Sequence, residues 1–147
     1  TDGSCLGNGK KKGRVVGGIG AYFGPNDARN VSEPFTDENP TNQRAEIKAA
    51  LIVLQRCVSN EEHVRIFTDS QYLINSACEW RWKWEMNAWM SSSGDDVANM
   101  DLFMPLFNLI DSRSGGVRWE YVPGHKGIPG NEAADQLAVQ GSNKTPQ

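Results

Sequence analysis

The stretch VRIFTDSQYLINSA, residues 64–77, sets the fold class. Val64 to Thr68 is a short β-rich run, the chain turns at Asp69-Ser70, and Leu73, Ile74 and Ala77 then mark one face of a helix. A strand feeding directly into a helix is a βα unit, and such units build α/β sheets with parallel members. Upstream, the segment from Thr41 to Val58 carries Ile47, Ala50, Leu51, Leu54 and Val58 at helical intervals behind the start signal Pro40-Thr41. Further back, Arg14 to Phe23 (RVVGGIGAYF) is β-branched, aromatic and glycine-interrupted, as in a strand whose neighbours come close. Gly24-Pro25-Asn26-Asp27 turns the chain into a return strand from Asn30 to Phe35.

Downstream, residues 80–89 hold four of the five tryptophans, and SSSGDD at 91–96 is a polar loop. Leu102, Leu106, Leu109 and Ile110 mark another helix, with Pro105 in its first turn or at a kink. Val117, Trp119 and Tyr121 alternate with Arg118 and Glu120 in a last strand. Asn131 to Gln140 is a closing helix with Gly141 as its stop.

With 147 residues, and no repeat or linker, the chain is one domain able to fold without disulfides or metal staples. No apolar run approaches the roughly 18 residues of a membrane span. Cys5, Cys57 and Cys78 are odd in number and widely spaced, which predicts free thiols in a reducing, intracellular compartment. No leader is legible at Thr1-Asp2-Gly3, so the compartment stays open between nucleus or mitochondrion in a eukaryote and cytoplasm in a bacterium. A net charge of −3 argues mildly against a sequence-independent nucleic-acid binder.

Four carboxylates stand at element junctions: Asp2 before a glycine turn, Glu46 on the first helix, Asp69 at a strand's carboxyl end and Asp135 on the last helix. Ligands of open α/β sheets gather beyond the carboxyl ends of strands, which makes Asp69 well placed for chemistry. The motifs around these acids are Asp2-Gly3, TNQRAE at 41–46, TDS at 68–70, NAW at 87–89 and VPGHKGIPGNEAAD at 122–135. In this order they resemble the catalytic domain of ribonuclease H, type 1 cellular branch. The resemblance spans almost the whole chain.

It implies a ribonuclease H-like α/β fold, a five-stranded mixed sheet flanked by helices, forming one catalytic domain over residues 1–147. It implies an endonuclease that cuts the RNA strand of an RNA/DNA hybrid, leaving 5′-phosphate and 3′-hydroxyl ends. Phosphodiester hydrolysis must activate a water, stabilise charge at phosphorus and assist the leaving alkoxide, and two magnesium ions held by hard oxygen ligands can do all three. By resemblance Asp2, Glu46, Asp69 and Asp135 hold two Mg2+ ions, with Asp2 as the bridge and Mn2+ as the alternative ion. Crowding should raise some of their pKa values, and metal should relieve it. Offsetting four of the 18 negative charges answers part of the charge objection.

The same resemblance gives His125 a proton-handling or product-release role on a loop and makes Glu132 auxiliary to it. Asn42 and Gln43, and Asn8 after the first turn, match positions that meet the hybrid's minor groove, where a 2′-hydroxyl tells RNA from DNA. Asn42 is equally suited to cap its helix. Trp80 and Trp84 match a handle region near the DNA strand, whereas Trp89 is assigned to the core. Thr41 and Asn99 match positions that cradle a DNA phosphate. Asn39 stands where the family has an arginine, which weakens that pocket.

Residues 80–100 set Arg81 and Lys83 against Glu85, Asp95 and Asp96, so this handle is not an electrostatic clamp. Attraction then falls to the cluster Lys10, Lys11, Lys12 and Arg14, or to a separate hybrid-binding domain upstream. The family's first strand is an apolar run ending at Asp-Gly, so that strand is expected to extend upstream of Thr1. A monomer without membrane contact is expected. The rival reading is a catalytically silent hybrid-binding module, against which the four acids argue, because pure binding gains nothing from negative charge near phosphates.

Overall fold

Glycine decides how closely the amino-terminal strands are covered. The computed structural model describes residues 1–5, 15–91, 93–124 and 127–144, in which β1 (Asp2–Cys5), β2 (Val15–Ala21) and β3 (Val31–Thr36) form an antiparallel sheet in that order. A Cβ on Gly18 or Gly20 of β2 would run into the carbonyls of Ala138 and Ala134. Those carbonyls belong to the last helix, α5 (Pro129–Ser142), which lies across β2 and β3. Gly141 is not a stop: α5 runs through it, and a Cβ there would meet the Glu33 backbone of β3. The residue marks a close approach, a meaning that helix-end statistics do not carry.

The opposite face of this sheet receives α1 (Asn42–Ile52), with Ile19, Ala21, Val31 and Phe35 packing on Ala45, Ala49 and Ile52. The helical run continues beyond Ile52 as one π-turn, Val53–Cys57. Ile47, Ala50 and Leu51, on the other side of α1, join a second core. That core contains Ile66 of β4 (Val64–Thr68), Leu73 of α2 (Gln71–Asn75), and Phe103, Leu106 and Phe107 of α4 (Met100–Ser112). Because α1 is buried on both sides, it fixes the two halves of the molecule against each other. A π-turn, Ser76–Trp80, joins α2 to α3 (Arg81–Met86), the tryptophan-rich helix. Pro105 falls in the second turn of α4 instead of the first, where its ring forgoes the bond to the Asp101 carbonyl.

β4 pairs in parallel with β5 (Val117–Tyr121), Val64 opposite Val117 through Thr68 opposite Tyr121, as the βα reading requires. The expected single five-stranded sheet is instead three strands plus two. On the edge of β1 that faces β4, the Thr1 nitrogen donates to the Phe67 carbonyl at 2.8 Å. The next donor on that edge, the Gly3 N–H, is taken by the Glu46 carboxylate at 3.1 Å. One rung is no ladder, and the Glu46 carboxylate of α1 occupies the place of the second. Beside Thr1 a cavity of about 320 Å³ separates the end of β2 from β4, lined by Tyr22, Phe23, Ile66 and Phe67. Cys57 and Cys78 are free thiols. No described helix is long and apolar enough to cross a membrane.

Candidate active site

The seam between the two sheets is where acids converge. A Cβ on Gly3 would strike the Ala45 carbonyl and the Glu46 nitrogen, so glycine lets β1 press directly onto α1. This close approach sets Asp2 of β1 beside Glu46 of α1, and both are buried. Asp69 follows the last residue of β4, at the strand's carboxyl end. One carboxylate oxygen from each of Asp2, Glu46 and Asp69 lies within 4.8 Å of the others. Asp135, on α5, is not in that set, but its carboxylate is close enough to act on the charge of Asp2.

Glu46 is held in place from both sheets. Its Oε1 accepts from the Gly3 N–H, and its Oε2 accepts from the Thr68 hydroxyl at 3.4 Å. Gly124 packs against the Asp69 carboxylate so tightly that a Cβ would collide with Oδ2. The loop after β5 therefore starts at the acids. Gly3, Thr68 and Gly124 were inside the motifs without a role, and only their contacts give them one.

Burial pushes Asp2 up to about 7, and the charges of Asp69 and Asp135 add to the rise against a hydrogen bond from Glu46. Burial likewise holds Glu46 well above the usual carboxylate range, with the Asp2 charge next in importance. Among the described residues, no lysine or arginine forms an ion pair with any of these acids. Carboxylates gathered without a lysine or arginine partner, all hard oxygen donors, form a set that fits magnesium or manganese.

The RNase H family model matches residues 1–143. The chain belongs to the RNase H family. It is 40% identical to ribonuclease H1 of Mus musculus over 146 residues, 99% of this chain and 50% of the mouse protein. The chain thus spans about half the length of that relative. It is 36% identical to a ribonuclease H of Francisella tularensis subsp. novicida, over 94% of this chain and 85% of the bacterial one. Among solved structures, LC9-RNase H1, a type 1 RNase H with the type 2 active-site motif, superposes with a TM-score of 0.72. That match has 28% identity and covers 99% of this chain and 71% of the other. A foamy viral protease-reverse transcriptase in complex with RNA/DNA hybrid gives a TM-score of 0.64 at 26% identity, over 78% of this chain and 15% of that one. The RNase H-like fold is therefore present, with its sheet divided as described.

Around the acids of this RNase H domain, the remaining expected residues fall into two groups. Thr41 caps α1, its Oγ1 accepting from the Arg44 N–H at 3.0 Å, so Asn42 is not the cap and lies exposed with Gln43 in the first turn. Asn99 caps α4 with a left-handed φ of 63°, and its Nδ2 donates to the Tyr72 hydroxyl. Trp80 is exposed beside Trp84, and Trp84 packs on Phe103 at 5.3 Å between ring centres. Trp89 is half-buried and stacks on Phe107, in keeping with its assignment to the core. Glu132 accepts from the Gly127 N–H at 3.2 Å, which ties the residues just before α5 to its first turn. Asn8, His125 and the cluster Lys10 to Arg14 lie outside the described residues.

Proposed function

We propose that this domain is an endonuclease that hydrolyses the RNA strand of RNA/DNA hybrids, with Asp2, Glu46, Asp69 and Asp135 holding two divalent ions. The observation that carries the reading is the meeting of Asp2, Glu46 and Asp69 within 4.8 Å at the seam of an RNase H-like fold. Bound magnesium would supply an activated water and stabilise charge on phosphorus and on the leaving oxygen, giving 5′-phosphate and 3′-hydroxyl ends. Asp2, which interacts with Glu46, Asp69 and Asp135 alike, is the acid assigned to both ions. The Gly3 N–H and the Thr68 hydroxyl each hold one oxygen of Glu46, which keeps its carboxylate within reach of Asp2 and Asp69.

Asn42 and Gln43, uncharged and exposed at the start of α1, suit the reading of a 2′-hydroxyl, and Asn8 is assigned with them. Thr41 and Asn99 take a phosphate of the DNA strand, and Trp80 and Trp84 meet its sugars. His125 handles a proton or assists product release, and Glu132 is auxiliary to it in metal exchange or product release.

Labelled hybrid, duplex RNA and single-stranded RNA, each incubated with magnesium and with EDTA, test the assignment. The hybrid alone should be cut, and only with magnesium. Asp69→Asn keeps the side chain's shape and should lower cleavage by about 10³-fold or more while hybrid binding survives. Cleavage within tenfold of the parent would remove Asp69 from the metal site.

A further inference from the structure

Arg44 stands two residues before Glu46 in the same motif and carries no role in the reading above. Its side chain is only 12% exposed and is gripped by two acids. Nε meets both oxygens of Asp37 at 3.1 and 3.2 Å, and the Nη1 and Nη2 groups meet Asp101 fork to fork at 2.8 and 2.6 Å. Asp37 lies just after β3 and Asp101 in the first turn of α4, so one guanidinium ties α1 to both. Arg44 also touches the two residues assigned to the DNA phosphate. Its backbone N–H donates to Thr41 Oγ1, and Nη1 donates to Asn99 Oδ1 at 3.4 Å.

The Asn99 contact has a consequence for the amide's orientation. A primary amide can turn over and exchange its oxygen for its nitrogen, and only its nitrogen can donate to a phosphate. The Tyr72 hydroxyl can give or accept, so it tolerates either orientation. Arg44 can only donate, so it holds Oδ1 on its own side and leaves the amide nitrogen facing Tyr72 with a second N–H to offer. With two carboxylates on one guanidinium, Arg44 is itself turned inward and is not the group that draws the phosphate.

We propose that Arg44 is a positioning residue for the DNA-strand contact, its guanidinium holding the Asn99 amide in the orientation that donates to phosphate. The proposal rests on the assignment of Asn99 to that contact. It is tested by steady-state cleavage of hybrid and by equilibrium binding, using Arg44→Gln, Asn99→Ala and the double variant. Arg44→Gln should raise KM about tenfold with kcat within about twofold, and in the Asn99→Ala background it should raise KM no more than about twofold. Arg44→Lys, which keeps a donor but not the fork, should recover part of the loss. The dependence of log affinity on log salt should stay that of the parent, because the number of phosphate contacts by cations is unchanged.

Three results would overturn the proposal. Additive KM effects would mean that Arg44 does not act through Asn99. A salt slope reduced by about one would make Arg44 itself a phosphate contact. A fall in kcat with an altered magnesium requirement would place its influence on Glu46. If Asn99→Ala alone leaves KM unchanged, the phosphate assignment of Asn99 has failed, and that single variant identifies the failure. Should Arg44→Gln not fold, Asp101→Asn removes one exposed anchor, and a KM rise that disappears in the Asn99→Ala background is again required.

Discussion

Replacing Asp2 by Asn should stabilise the metal-free protein at neutral pH while destroying its function. Asp2 ionises near 7 in the folded chain against an ordinary value of 3.8, so between those values the folded state binds more protons than the unfolded one. The sign follows directly: stability present below pH 3.8 is lost as pH rises towards 7. The whole rise corresponds by linkage to about 4 kcal/mol. Burial of the charge is the larger cause and repulsion by Asp69 and Asp135 the smaller, and Asn keeps a polar amide buried there, so about half of the whole, about 2 kcal/mol, is the expected gain. For a domain of this size that is a gain in melting temperature of about 4–8 °C. The assay is denaturant and thermal unfolding of parent and variant in EDTA, from about pH 4 to about pH 8. The two proteins should be equal at the acid end and diverge towards neutrality. Magnesium should then stabilise the parent and leave the variant much less changed, because binding to the folded state adds stability. A gap that is constant with pH, or a variant less stable than the parent at pH 8, would refute the inference that the buried, crowded charge of Asp2 costs the folded state stability.

Three further outcomes follow from the same geometry. Gln43→Ala should reduce discrimination between hybrid and DNA duplex without altering the salt slope of binding, and competition binding at several salt concentrations reads both quantities. Changing Asp95 and Asp96 together to Lys should tighten hybrid binding and steepen its salt dependence, and unchanged titrations would mean that this exposed loop does not approach nucleic acid. Gly141→Ala gains about 1 kcal/mol of helix propensity but drives a Cβ into the Glu33 backbone, so a net loss of about 1–2 kcal/mol is expected from urea denaturation.

What the sequence made legible is local, and what it concealed is the approach of one element to another. β4 was read from Val64 to Thr68 because alternation and β-branching are properties of the strand itself. Asp2, Glu46 and Asp69 were named through their motifs, yet neither spacing nor residue type could say that a missing Cβ at Gly3 lets two of them touch. The division of the sheet was equally hidden, because it depends on Glu46 accepting the N–H that a neighbouring strand would otherwise take. Gly141 was misread for the same reason: its meaning lies in Glu33, more than a hundred positions away. The position of Pro105 within its helix was open between the first turn and a kink because Asn99, in a left-handed conformation, starts α4 at a point that no apolar periodicity marks.

The charge objection raised by the net of −3 is sharpened by the structure. The cation nearest the proposed substrate surface, Arg44, is committed to Asp37 and Asp101, and Arg81 of the tryptophan-rich helix is buried between Glu85 and Asp111. Two arginines that sequence counting credits to attraction are therefore structural ties between helices. Apart from the exposed Lys83, what these described residues turn outward for contact is neutral: Asn42, Gln43 and the exposed ring of Trp80. Such groups bond or stack at fixed distances and lose little to salt, whereas lysines attract at long range and are screened. A surface of this kind recognises the width and hydroxyl pattern of a hybrid duplex after contact, and it does little to draw nucleic acid in from solution. Weak salt dependence and strong discrimination between duplex types are thus one physical consequence, and measuring them together tests whether shape, instead of charge, selects the substrate.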